Sequence, residues 1–385
     1  MESGIGNIIG QPGATGYIPS VQCGVTCEFQ AGFWDSVPSL RPLYTIIWNM
    51  SDSGQAEALD ISPERNDARR KFAGRELSSR EQFQAEAFAT AYVAAIAAAA
   101  HASGISFLLF PELGALAYDV LMRPWGKWAS QPVRLVITPA VTAVIGTAVT
   151  RWMPFNGLSV ILIVALSTVV IATLRSSIAP AMSAGVLPMV LAIRSWAYPI
   201  GMTATLIVLS GIAVVWRKYH SREETENALQ DVEDVLESPP RGKYWVLVLL
   251  VLAGGLAELA RVTGLRFIIF PPLVTIAYEM LGHTEMCPWT KRPISLPACC
   301  FLTASCGLLA FHFAGTGVVL ALCSMVTGII VLRAFELHMP PALAVGLLPA
   351  VMIAPNWKFP FAVLAGTVCL TVVFLGYRRV VRKEK

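Results

Sequence analysis

Between residues 85 and 377 the chain is a succession of apolar runs separated by short polar breaks. The runs cover about 85–103, 105–121, 133–150, 157–174, 179–193 and 197–215. After a hydrophilic stretch, 217–243, they resume at about 244–261, 267–281, 297–314, 315–332, 340–354 and 359–377. Apolar runs of about 17–25 residues carry a helix through roughly 30 Å of hydrocarbon. The pattern predicts an all-α polytopic membrane protein: six transmembrane or part-spanning helices, a linker, and six more. Runs 105–121, 179–193 and 340–354 are short. They leave a second arrangement open, with four crossings and two re-entrant hairpins in each half.

Charge orients the runs. Arg65, Arg69, Arg70, Lys71, Arg75 and Arg80 precede the first run. Arg217, Lys218, Arg222, Arg241 and Lys243 flank the linker centre, and Arg378, Arg379, Arg382, Lys383 and Lys385 close the chain. Basic residues near membrane ends face the cytoplasm, so each half crosses an even number of times. Six crossings also keep loops 122–132 and 282–296 inside, with Arg123, Lys127, Lys291 and Arg292. The hairpin arrangement exports both loops. The expected location is the cell (inner) membrane, with both termini cytoplasmic.

Composition narrows the class further. Of 385 residues 55% are hydrophobic and 14% charged, with mean hydropathy +0.61, which excludes an ordinary soluble domain. The net charge of +4 sits at run ends, so no nucleic-acid partner is expected. The eight cysteines form no zinc or redox pattern: Cys23 and Cys27 are C-x3-C without a second pair. Cys299, Cys300, Cys306, Cys323 and Cys369 lie in apolar runs, where thiols pack as small hydrophobes. Residues 1–82 are rich in Gly, Ser, Pro and acids, and read as a cytoplasmic arm without fixed structure and without a secretory leader. The linker centre, "REETENALQDVEDVLES", puts Leu229, Val232, Val235 and Leu236 on one face of a short amphipathic helix. The resulting division is arm 1–82, membrane unit 83–216, acidic cytoplasmic linker 217–243, membrane unit 244–378 and basic tail 379–385.

The two units match each other. "FLLFPELGALAYDVL" (107–121) aligns with "FIIFPPLVTIAYEML" (267–281) at an offset of 160. "IAPAMSAGVLP" (178–188) aligns with "MPPALAVGLLP" (339–349) at 161, as do Trp128 with Trp289, Pro132 with Pro293, and "WAYP" (196–199) with "WKFP" (357–360). An even number of crossings per unit makes the two repeats parallel. Corresponding proline-interrupted helices in two repeats are a sequence pointer to a transport site.

At "LLFPELGALAYD", "SQPVRLVI" (130–137) and "LHMPPALA" the sequence resembles the HPP family of integral membrane proteins, whose motif is His-Pro-Pro followed by Ala and small residues. The likeness covers about 105–200 and 265–362. Met339 stands where the family histidine would precede Pro340-Pro341, and His338 is displaced by one. The resemblance implies a divergent, tandemly duplicated member. Some family members are similar to nitrite transporters, which makes a nitrite-like anion a candidate solute.

Candidate substrate-binding or gating residues follow. Glu112 lies deep in a run, and an intramembrane acid is a functional candidate by default. His338 and Glu336 flank a broken helix, with Arg333 just before them. Arg134 and Arg333 sit at cytoplasmic ends, where they anchor the chain or attract anions at a pore mouth. Pro180, Pro340 and Pro341 open helices, whereas Pro188 and Pro349 fall mid-run and kink them. Asp119 and Glu279, repeat equivalents, stand near cytoplasmic ends. Glu258, Arg261 and Arg266 are expected to pair at the outer edge. No catalytic set, metal site or cofactor is expected. The expected function is a permease passing a small inorganic or organic anion, or another small polar solute, between two halves. The alternatives are a non-transporting regulatory subunit and, further off, a membrane-embedded enzyme. Lipid is the surrounding partner, and a homo-oligomer stays open.

Overall fold

The computed structural model describes residues 78–220, 244–284 and 287–383. Among them every regular element is helical. Before the linker come α1 (Ser79–Ser103), α2 (Glu112–Met122), α3 (Pro132–Trp152), α4 (Gly157–Thr173), α5 (Pro180–Leu191) and α6 (Ala197–His220). After it come α7 (Trp245–Thr263), α8 (Pro271–Gly282), α9 (Ser295–Ala314), α10 (Val318–Ala334), α11 (Pro341–Leu347) and α12 (Lys358–Lys383). Each apolar run holds one α-helix. Six helices, α1, α3, α6, α7, α9 and α12, are long and apolar enough to cross a membrane.

Local chemistry sets the boundaries. Ser78 and Glu81 form a reciprocal capping box that starts α1 at Ser79, a few residues inside the expected arm. α1 and α7 end on left-handed Gly104 (φ 70°) and Gly264 (φ 71°). Each is followed by a 3₁₀ turn, Ser106–Leu108 or Arg266–Ile269, and then by a helix opened at Pro111 or Pro271. Run 105–121 is therefore α-helical only from Glu112 on. α6 continues to His220 and α12 to Lys383, so the expected linker and tail both begin as helix. The rest of the arm and the amphipathic face of the linker lie outside the described residues.

The helices run alternately between two ends of the bundle. One end collects the α2–α3 and α8–α9 loops, the C-termini of α4, α6, α10 and α12, and the N-terminus of α1, where Glu86 pairs with Arg333. There the Trp216 indole donates to Leu121 O, and the Arg378 guanidinium to Thr290 O. At the other end Arg151 donates to Arg194 O, Arg266 to Met189 O, and the Gly157 N–H to Glu258. α5 starts at the first end, where Ser177 binds Gln131, and finishes at the second, beside Arg266. It makes one pass and does not double back.

The two halves interlock. α1 packs on α10 and α2 on α11, while α7 packs on α4 and α8 on α5. The four short helices form the centre: α2 from Glu112 to Leu121, α5 from Pro180 to Val190, and all of α8 and α11 are buried. Glycines set the closest approaches. A Cβ on Gly146 of α3 would collide with the carbonyl oxygen of Gly185 in α5, and one on Gly307 of α9 with that of Gly346 in α11.

Candidate functional site

The centre of the bundle is built on proline and its consequences. Proline removes the donor that would close a bond to the carbonyl four residues earlier. In α5, Pro188 frees Ala184 O, and the hydroxyl of Tyr198 in α6 donates to it at 2.9 Å. In α11, Pro349 frees Val345 O, but the residue 161 beyond Tyr198 is Phe359, which has no hydroxyl. There the helix stops at Leu347, the Leu348 N–H is shared between Ala344 O and Val345 O, and a 3₁₀ turn, Leu348–Ala350, follows. The second half of run 340–354 is thus not α-helical. Pro180 and Pro341 open α5 and α11, with Pro340 as the N-cap of α11, as expected of helix-initiating prolines. The edge-to-face ring pairs Phe107–Tyr198 and Phe267–Phe359 hold α6 and α12 against the 3₁₀ turns.

Glu112 is the first residue of α2 and is 2% exposed. Neither carboxylate oxygen has a hydrogen-bond partner among the described residues. The Ser183 hydroxyl stands beside it, but Ser183 Oγ donates to Pro271 O (2.8 Å) and also lies 2.7 Å from Thr275 Oγ1. Thr275 in turn reaches Ala179 O at 3.3 Å. A helix N-terminus contributes at most about 2 kcal/mol to an acid so placed. Taking an unpaired carboxylate out of water costs several kcal/mol, about twice that or more. The position therefore needs a compensating positive charge. Asp119, at the charged end of the bundle, is seven residues further along α2, about 10 Å from Glu112.

At that charged end the remaining acids are paired. Asp119, 1% exposed, holds Arg123 one turn on and His338 from the other half, at 3.0 Å from Nε2. His338 also stacks on Tyr118. Glu279, 2% exposed, holds Lys127 from the other half at 2.6 and 2.7 Å, with His283 of its own helix 3.5 Å away. Burial holds the His283 imidazole below its ordinary pKa. Arg333 pairs with Glu86 at 2.5 Å. Glu336 pairs with Arg292 at 3.1 Å on the surface.

The candidate residues thus separate. Glu112 lies beside Ser183 of α5, while Pro180 and Pro188 stand eight residues apart along that helix. His338, Arg333 and Glu336 form cross-links at the charged end, with Pro340 and Pro341 following them into α11. Arg134 is half-buried in the first turn of α3. The outer trio is only partly as expected: Glu258 pairs with Arg261 at 2.6 Å and caps α4 through the Gly157 N–H at 2.7 Å. Arg266 instead donates to Met189 O and lies over the Phe155 ring. The sequence reading passed over Ser183, Thr275 and the hydroxyl of Tyr198. Their signal was available, because their aligned positions are Ala344, Ala115 and Phe359.

Comparison with protein-family models, curated proteins and solved structures gives no match. The reading of the site rests on its own geometry. Among the described residues no group of three or more His, Cys, Asp or Glu side chains could hold a metal ion.

Proposed function

We propose that the chain is a membrane permease for a small polar or anionic solute, built by tandem duplication, with the solute path between its two halves. The observation that carries the reading is Glu112: a buried acid without a hydrogen-bond partner among the described residues, at the first residue of a short central helix.

Membrane placement is supported by the six long apolar helices and by exposed apolar stripes, such as Val133, Ile137, Val141 and Val144 along α3. Duplication is supported by contacts that recur at the sequence offset. Ser210 donates to Pro132 O as Thr371 does to Pro293 O, and left-handed Arg175 (φ 46°) and Glu336 (φ 50°) close α4 and α10. Gln131, of the Gln-Pro pair, accepts from the Ser177 N–H, and its counterpart Arg292 donates to Phe335 O. In each half this loop holds the segment that leads into the proline-opened helix. Nitrite-like anions, which the sequence resemblance implies, are the first solutes to try, and we assign the plane containing the charged end to the cytoplasm.

Purified full-length protein in liposomes should carry nitrite, nitrate or formate down a gradient faster than protein-free liposomes. No flux of any small anion or polar solute would remove the reading. In a cysteine-free background, Thr173→Cys, at the exposed C-terminus of α4 ahead of α5, and Arg194→Cys, just after α5, should label from opposite sides of the membrane. Labelling from one side would restore the re-entrant arrangement.

A further inference from the structure

We propose that Glu112 is a proton-binding site that couples anion movement to one proton per chain, making the permease a proton–anion symporter. This rests on the permease reading above and deepens it.

The compensating charge at Glu112 could be a proton or a metal cation. A hard cation requires about six oxygen ligands. Ser183 supplies one hydroxyl beside Glu112, and among the described residues no group of three or more His, Cys, Asp or Glu side chains could hold a metal ion. Among the described residues neither oxygen of the carboxylate has a hydrogen-bond partner. One carboxylate suffices for a proton and falls far short for a cation.

Among the described residues no charged side chain is paired with Glu112. α5 and α11 contain no charged residue. The charges of α1 nearest in sequence are Glu86, near one end, and His101, at the other. Those of α6, α8 and α10 are Arg217, Lys218, Glu279 and Arg333, all toward the charged end. The titratable group facing Glu112 is Tyr198, whose hydroxyl is already donating to Ala184 O. Asp119 and Tyr118, on the same helix, lie about two turns away and are bound to His338.

Coupling follows from like-charge exclusion. An anion reaching the centre meets an ionised carboxylate and is repelled. When the carboxyl carries a proton, the repulsion is gone and the acid O–H can donate to the anion, beside the N-terminus of α2. The proton therefore travels with a monovalent anion, and the charges cancel. The stoichiometry is one because the duplicated core keeps these groups in a single copy: the positions aligned with Glu112, Ser183, Thr275 and Tyr198 are Pro272, Ala344, Ala115 and Phe359.

The test uses full-length protein in liposomes loaded with a pH-sensitive dye, with an inward nitrate gradient as the driving force. Wild type should acidify the lumen as nitrate enters. Glu112→Gln should lose acidification to the protein-free level. Glu112→Met, checked for a monodisperse gel-filtration peak, serves if the Gln variant does not fold. In detergent, independent of flux, infrared difference spectra should show a protonated-carboxyl band in wild type that Glu112→Gln removes. Nitrate entry without acidification, or acidification unchanged in Glu112→Gln, overturns the coupling and leaves the permease reading standing. Absence of the Glu112-dependent band overturns the proton site whatever the flux. If the band is present but no probe anion moves, the proton site stands and it is the permease reading, with the coupling built on it, that falls.

Discussion

Gly146 and Gly307 are 161 residues apart, and each lets its helix touch the backbone of a short central helix. The obstacle to any side chain there is a carbonyl oxygen of Gly185 or Gly346, which cannot swing aside as a flexible side chain could. Gly146→Ala should therefore destabilise the protein by about 1–3 kcal/mol, the usual cost of overpacking a core. Gly211→Ala is the control, since a Cβ there meets nothing within 4 Å. It should be neutral or stabilising by up to about 1 kcal/mol from helix propensity. Thermal unfolding in one detergent, read as a difference between the two variants, checks both. At the same scale His338 shows how far a residue's own sequence can mislead. It stands one place out of the family motif, yet in the structure it spans the two halves to Asp119.

The elements that distinguish the two halves are α5 and α11. Both contain the same Gly-x-Leu-Pro, and both lose a backbone bond to it. α5 stays helical past its proline because Tyr198 takes over the freed carbonyl, whereas α11 tightens into a 3₁₀ turn where Phe359 cannot. Tyr198→Phe should leave Ala184 O unsatisfied in a buried site and cost about 1–3 kcal/mol. Pro188→Ala restores an N–H to that carbonyl. In the Pro188→Ala background the Tyr198→Phe cost should therefore fall to near zero, a coupling that a double-mutant cycle on unfolding midpoints measures. Additive costs would show that the hydroxyl is not standing in for the missing donor.

Across the whole molecule, the interlocking of α1–α2 with α10–α11 and of α7–α8 with α4–α5 makes each half depend on the other. Two ion pairs, Glu86–Arg333 and Lys127–Glu279, and the Asp119–His338 contact tie them at one end. Removing one partner of a buried pair costs more than removing both, because a lone charge stays behind. Lys127→Met should thus destabilise by about 3 kcal/mol. Adding Glu279→Leu should recover most of the loss, as read from thermal unfolding of the full chain. A double variant less stable than the single one would mean that Glu279 is held by something other than Lys127.

Much of this protein is legible in its sequence. The twelve helices follow from the apolar runs, because a run of one polarity between charged or proline-bearing breaks has one way to satisfy its backbone. The pairing of positions 160 or 161 apart also follows, since it requires only comparing the chain with itself. Glu112 stood out for the same reason: an acid in an apolar run is expensive wherever the run packs. The sequence could not say that Asp119, Glu279 and Arg333 are occupied by partners from the opposite half, because those contacts join residues 152 to 247 positions apart. Ser183 and Thr275 differ from their aligned Ala344 and Ala115, but that the two hydroxyls meet is set only where α5 and α8 cross. Local periodicity fixes helices, because their hydrogen bonds are local. Which acid is paired and which is left alone depends on how the halves interlock, and that is decided only by tertiary packing.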